Sequence, residues 1–181
     1  MKIGYALCGS FCTHSKSISI LEGIAERHTV VPIVSETVFS TDTRFGKAED
    51  TMAILTALCG RPPIHTIAAA EPLGPKEPLD LLILSPCTGN TLAKLAHGIT
   101  DTAVTMAAKA HLRGDRPLLI ALSTNDAMSA NLENIGIMRN RKHVYFVPMH
   151  MDDPEGKPHS LVADFESIPI EMKRICKKYG L

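Results

Sequence analysis

Short apolar runs that alternate with helical patterns along the chain predict an α/β fold, a three-layer sandwich around a doubly wound parallel sheet. The strongest signal is Leu81 to Thr91, LLILSPCTGNT: four large apolar residues, a Ser85-Pro86 break, then small polar groups. A continuous apolar run closed by turn residues fits a strand buried on both faces, as in a parallel sheet covered by helices. Pro86 has no N–H to give a ladder and marks the strand's end. The same device recurs at Pro117 to Leu122, followed by Ser123-Thr124-Asn125. Strands of such sheets carry ligands beyond their carboxyl ends, where these hydroxyl and amide groups lie.

Taken in order, residues 2–8 (KIGYALC) read as the first strand and Gly9 to Thr13 as a turn. A helix follows, with Ile18, Leu21 and Ile24 along one face. Thr29 to Val34 is a second strand, ending at Ser35-Glu36-Thr37. Residues 38–48 read as irregular, and a helix covers about 47–58 before Gly60-Arg61-Pro62-Pro63 stops it. Ile64 to Ala68 reads as a short strand and the proline-rich stretch 71–78 as loop. Helices are expected over about 90–97 and 101–112, separated by Gly98, with Asp101 as N-cap of the second. A further helical stretch falls at about 127–135, and Val144 to Val147 reads as the last strand. Residues 148–163, with Pro148, Pro154, Gly156 and Pro158, read as a mobile loop. The final helix sets Ile168, Met172, Ile175 and Tyr179 on one face and tolerates Pro169 in its first turn.

At 181 residues the chain reads as one domain, 1–181, with enough length for a substantial core. Its 19 basic and 19 acidic residues cancel, so charge draws it to neither nucleic acid nor a membrane surface. No apolar run approaches the roughly 20 residues of a spanning helix. Five cysteines without a CxxC pair fit a reduced, cytoplasmic protein. Cys8, Cys12 and His14 make a poor metal set, since a fourth ligand is missing, and no metal is expected.

The first turn, Gly9-Ser10-Phe11-Cys12-Thr13, sits where such folds bind phosphate, at a helix N-terminus. It lacks both GxGxxG and GK[ST], so the hydroxyls of Ser10 and Thr13 suit one phosphate of a mononucleotide better than a dinucleotide or ATP. Ser35, Thr88, Asn90, Thr91, Ser123 and Asn125 each follow an apolar strand. Such residues are common as caps, yet three strand ends carrying them point toward one crevice. Cys87 has no base beside it and reads as a small inert residue. His65, near the 71–78 loop, is a candidate proton donor or acceptor.

Three segments resemble the flavoprotein family that contains phosphopantothenoylcysteine decarboxylase, the lantibiotic cysteine decarboxylases and flavin prenyltransferase. GSFCTHSKS is similar to the family's first loop, whose serine binds the phosphate of FMN. SPCTGNTLAKLAHGITD is similar to its AP-x-xx-NT-x-AK-x-A-x-G-x-x-D signature at Pro86, Asn90, Thr91, Lys94, Ala96, Gly98 and Asp101. STNDAMSANLENIG resembles its PAMN loop at Asn125, Met128, Asn131 and Asn134. The resemblance covers nearly the whole chain. It implies a Rossmann-like flavoprotein fold and an FMN site built from Gly9, Ser10, Thr13, Ser35, Pro86, Thr88, Asn90, Thr91, Ser123 and Asn125. It also implies His65 as catalytic histidine and a homo-oligomer, trimer or dodecamer. Within the family the likeness is to members that act with a second, NADP-binding subunit on a small molecule, oxidising it to an aromatic pyridine ring. The alternatives are a stand-alone FMN-dependent decarboxylase, a flavin prenyltransferase and a non-catalytic structural subunit. Residues 149–160 lack the cysteine that closes the substrate clamp of the cysteine decarboxylases, which argues against decarboxylation of a peptidyl cysteine.

Overall fold

The computed structural model describes residues 1–181. Five parallel strands make the main sheet: β1 (Lys2–Leu7), β2 (Thr29–Val34), β3 (Leu81–Cys87), β4 (Leu118–Thr124) and β5 (Val144–Phe146), in the order β2-β1-β3-β4-β5. Helices α1 (His14–Ala25), α2 (Glu36–Ser40), α3 (Ala48–Cys59), α4 (Ile67–Ala70), α5 (Gly89–Ala96), α6 (Ala103–Leu112), α7 (Leu132–Arg139) and α8 (Ile168–Tyr179) complete the alternation.

The central strands explain the layers. Successive side chains on a strand point to opposite faces. Ile3, Tyr5, Leu7, Leu81, Ile83, Leu119 and Ala121 enter one core, with Leu21, Leu55, Ile168, Met172 and Ile175 from α1, α3 and α8. Ala6, Cys8, Leu82, Leu84, Leu118, Ile120 and Leu122 enter the other, with Leu92, Ala103, Ala107, Ile135 and Met138 from α5, α6 and α7. A strand buried on both faces has no polar alternation, which is why LLIL is continuous.

Five local expectations change. Residues 148–163 are not simply loop: β6 (Met149–Met151) and β7 (Leu161–Ala163) pair antiparallel, and β7 joins the end of β4 at Ser123 and Thr124. Three-residue strands are too short to show a period. Ile64 keeps only a bridge to Ile33, and the expected strand gives way to α4, where the Thr66 hydroxyl accepts the Ala69 N–H at 3.2 Å and alanines favour helix. Thr102, not Asp101, caps α6; it exchanges bonds with Thr105 in a capping box, while Asp101 holds Lys94 at 2.8 Å. The helix expected over 127–135 begins only at Leu132, and the short α2, capped by Ser35, runs from Glu36 into the stretch 38–48 that reads as irregular. No helix is long and apolar enough to cross a membrane.

Candidate functional site

The strand order reverses between β1 and β3: β2 lies on one side of β1, while β3 to β5 lie on the other. At such a switch point the loops leaving adjacent strands diverge and open a crevice. Here it is a cleft of about 890 Å³, lined by Ser10 and Thr13 after β1, Thr88 and Asn90 after β3, and Ser123 and Asn125 at the end of β4. That volume lies within the roughly 300–1,000 Å³ of small-molecule and cofactor sites. Six candidates from three separate strand ends therefore meet.

Each is placed by backbone chemistry. The chain leaves β1 through one tight turn, Phe11 to Thr13, and enters α1. Ser10 precedes that turn without a side-chain capping bond, and the Thr13 hydroxyl donates to the Ser10 carbonyl at 2.8 Å. His14 donates from Nε2 to the Cys8 carbonyl at 2.8 Å, and burial holds its pKa below the ordinary value. The Thr88 hydroxyl accepts the Thr91 N–H and donates to the Thr91 hydroxyl, fixing the start of α5. Ser123 is 4% exposed, and its hydroxyl has no partner within the chain. A buried hydroxyl facing a cleft without a partner carries a cost that a bound acceptor or donor removes.

The other candidates stand apart from the cleft lining. Gly9 gives its carbonyl to the Phe11 N–H inside the turn. The Pro86 carbonyl accepts the Cys8 N–H, tying β3 to β1, and Thr91 is buried behind Thr88. Ser35 caps α2, accepting from the Val38 N–H at 3.4 Å. His65 stacks face to face on Phe39, with ring centroids 3.7 Å apart. Cys87 is buried beside Cys8; its thiol is pushed well above its ordinary value by the hydrogen bond with Cys8 and then by burial, so it stays neutral.

Several groups at the cleft stand outside the site residues expected from the sequence, and Asn131 and Asn134 of the PAMN-like loop join them in one network. Asp126 accepts two bonds from the Asn131 amide, both 2.9 Å, and one from the Thr124 hydroxyl; Asn134 then donates to Asn131. This network shapes the floor after β4. Gly89 passes so close that an added Cβ would lie 2.5 Å from both Asn131 and Thr124. Gly89→Ala is therefore expected to cost about 1–3 kcal/mol by overpacking, read as a lowered urea midpoint; an unchanged midpoint would mean the floor is slack. The β6–β7 hairpin brings Asp152, Lys157 and His159 to the rim, and Lys16 of α1 lines the same cleft. The Met128 N–H bonds the His159 carbonyl at 3.0 Å and the Ser160 hydroxyl bonds the Thr124 carbonyl at 3.4 Å, so the rim is tied to the floor. Lys157 pairs with Asp152 at 3.0 Å, which raises its pKa.

Residues 1–169 match the family profile described as Flavoprotein. The chain belongs to the Flavoprotein family. It is similar to the B subunit of dipicolinate synthase from Bacillus subtilis (strain 168), 41% identical over 169 residues, covering 93% of this chain and 84% of that protein. It is also similar to the crystal structure of the dipicolinate synthase B subunit from Bacillus halodurans, at 37% identity and a TM-score of 0.88, covering 97% of this chain and 91% of the other. A dodecameric FMN-dependent UbiX-like decarboxylase from Escherichia coli O157:H7 shares the fold at 23% identity and a TM-score of 0.67, covering 100% and 96% of the two chains. The α/β sandwich expected from the sequence is thus the Rossmann-like architecture of the Flavoprotein family.

Proposed function

We propose that this chain is the B-type subunit of a dipicolinate synthase, with an FMN-type cleft, and that its partner is the NADP-binding A-type subunit of the same enzyme. The observation that supports it most is the unpartnered, buried Ser123 hydroxyl in a polar cleft at the β1/β3 switch point, within a chain so similar to a dipicolinate synthase B subunit. The residues present fit the flavin. Ser10 and Thr13 would hold its phosphate, with the N-terminus of α1 favouring negative charge. Thr88, Asn90, Ser123 and Asn125 would meet the ribityl hydroxyls and the ring. Gly9, Pro86 and Thr91 would shape those turns from behind. When bound, the flavin supplies hydride acceptance, which no protein side chain provides. The chain's own part is to orient substrate and exclude water. Lys157 is paired with Asp152, while Lys16 lines the cleft without an ion-pair partner in the chain. Lys16 is the group that would meet a carboxylate of a dihydrodipicolinate-type substrate, and a role in spore formation follows from the same reading.

His65 and Ser35 belong to the edge of the sheet at β2 rather than to the cleft of their own chain. In a homo-oligomer that edge would face a neighbouring copy, and there His65 would serve as proton donor or acceptor. Light scattering at micromolar concentration is expected to give a multiple of 19.6 kDa; the mass of a single chain would remove this role. Function is tested by reconstitution with the A-type partner, NADP and the cyclic lysine-pathway precursor, following dipicolinate by ultraviolet absorbance. The pair should form product and this chain alone should not. Full-rate product from this chain alone would overturn the two-subunit reading. Full-rate product from the pair after flavin removal would support the alternative of a purely structural role.

A further inference from the structure

On the side of the sheet that carries α1 and α8, away from the flavin-type cleft, these two helices leave a groove of about 550 Å³ between them. Its walls are Ile20 and Ile24 on α1 and Met172 on α8, with Arg27 and Lys173 at the mouth. No carboxylate lines it, and neither Arg27 nor Lys173 has an ion-pair partner in the chain. His28, also at the mouth, is held below its ordinary pKa by burial and then by neighbouring positive charges, Arg27 among them. The groove is apolar within and cationic at the rim.

Gly23 adds an independent observation. It lies exposed in the last turn of α1, two residues before the helix ends at Ala25. Nothing in the chain requires it: an added Cβ would meet no atom within 4 Å. Its one evident consequence is to keep the groove floor open between Ile20 and Ile24. A second backbone or a bulky side chain fits there.

We propose that the α1/α8 groove docks an acidic, apolar-anchored segment of a partner protein. The segment would place one or two large apolar side chains over Gly23 and its carboxylates against Arg27 and Lys173. Along α1, from Ile20 to the helix end at Ala25, the groove runs for about 7.5 Å at 1.5 Å per residue, room for two anchors three or four residues apart, about 4.5–6 Å, on a docked helix. Its concavity favours a protein segment over a membrane, which binds convex amphipathic faces.

The probe is a fluorescein-labelled amphipathic peptide with leucines spaced three and four residues apart, flanked by glutamates, and followed by anisotropy. The full chain should bind it. Gly23→Leu, which fills the groove and favours helix, should weaken binding about tenfold or more. Arg27→Glu with Lys173→Glu should do the same, whereas Lys76→Glu, an exposed change outside the groove, should not. A peptide with lysines in place of glutamates should not bind. Circular dichroism confirms that each variant is folded. The proposal fails if the wild type ignores the acidic peptide, or if groove variants and Lys76→Glu behave alike. It also fails if Gly23→Leu changes the oligomeric mass, which would make the groove a contact between copies. Binding to phosphatidylglycerol vesicles, unaffected by Gly23→Leu and stronger than binding to the peptide, would assign the face to membranes instead.

Discussion

Acidification from pH 6.5 to about 4 is expected to remove on the order of 3 kcal/mol of folding stability through His111 alone. His111 is fully buried; its Nε2–H donates to the Pro117 carbonyl at 2.7 Å, and its Nδ1 has no partner within the chain. Burial, above all, pushes its pKa from 6.5 down to about 4. The folded protein thus keeps His111 neutral while the unfolded chain takes up a proton below pH 6.5. The contribution is complete above pH 6.5 and is lost as pH falls toward about 4. His14, lowered by burial, acts in the same direction. His111→Gln retains a donor for Pro117 but cannot titrate. Urea unfolding at pH 7 and pH 4.5 should show a much larger loss for the wild type than for this variant. Parallel losses would show that His111 does not titrate as its burial requires.

Ser10→Ala is expected to weaken FMN binding by about 1.5–3 kcal/mol, the net worth of a hydrogen bond to a charged group. That is roughly ten- to a hundredfold in affinity. The variant should fold normally, because the Ser10 side chain caps nothing. Riboflavin, which lacks the phosphate, should bind wild type and variant equally. Fluorescence quenching with both ligands separates the outcomes. Equal FMN affinities would remove Ser10 from the phosphate site, and a matching loss for riboflavin would mean the turn had moved.

The doubly wound sheet is readable because its central strands are buried twice over, which leaves continuous runs such as LLIL and LLIAL between turn residues. The ends of β1, β3 and β4 carry hydroxyl and amide groups for the same reason: each strand stops where the backbone must turn out of the sheet. What the sequence conceals depends on distant pairing. The hairpin that lifts Lys157 and His159 to the rim exists only because β7 finds the end of β4, 36 or more residues earlier. Asn131 stands out in the sequence as a match to the PAMN-like loop, but its bonds to Asp126, and Asp126's to Thr124, form only when the turn closes on itself. Ser35 and His65 follow strand-like segments too, but they belong to β2 and its bridge at the sheet edge, one strand removed from the switch point.

The flavin reading of this chain depends on the cleft bounded by Ser10, Thr88 and Ser123 holding flavin mononucleotide. Equilibrium dialysis of the purified chain against FMN, with the visible absorption spectrum recorded on the protein side, tests this most directly. The expected result is saturable retention near one flavin per chain, with an absorption band displaced from that of free FMN. Equal FMN on both sides of the membrane, with the spectrum of the free cofactor, would contradict it.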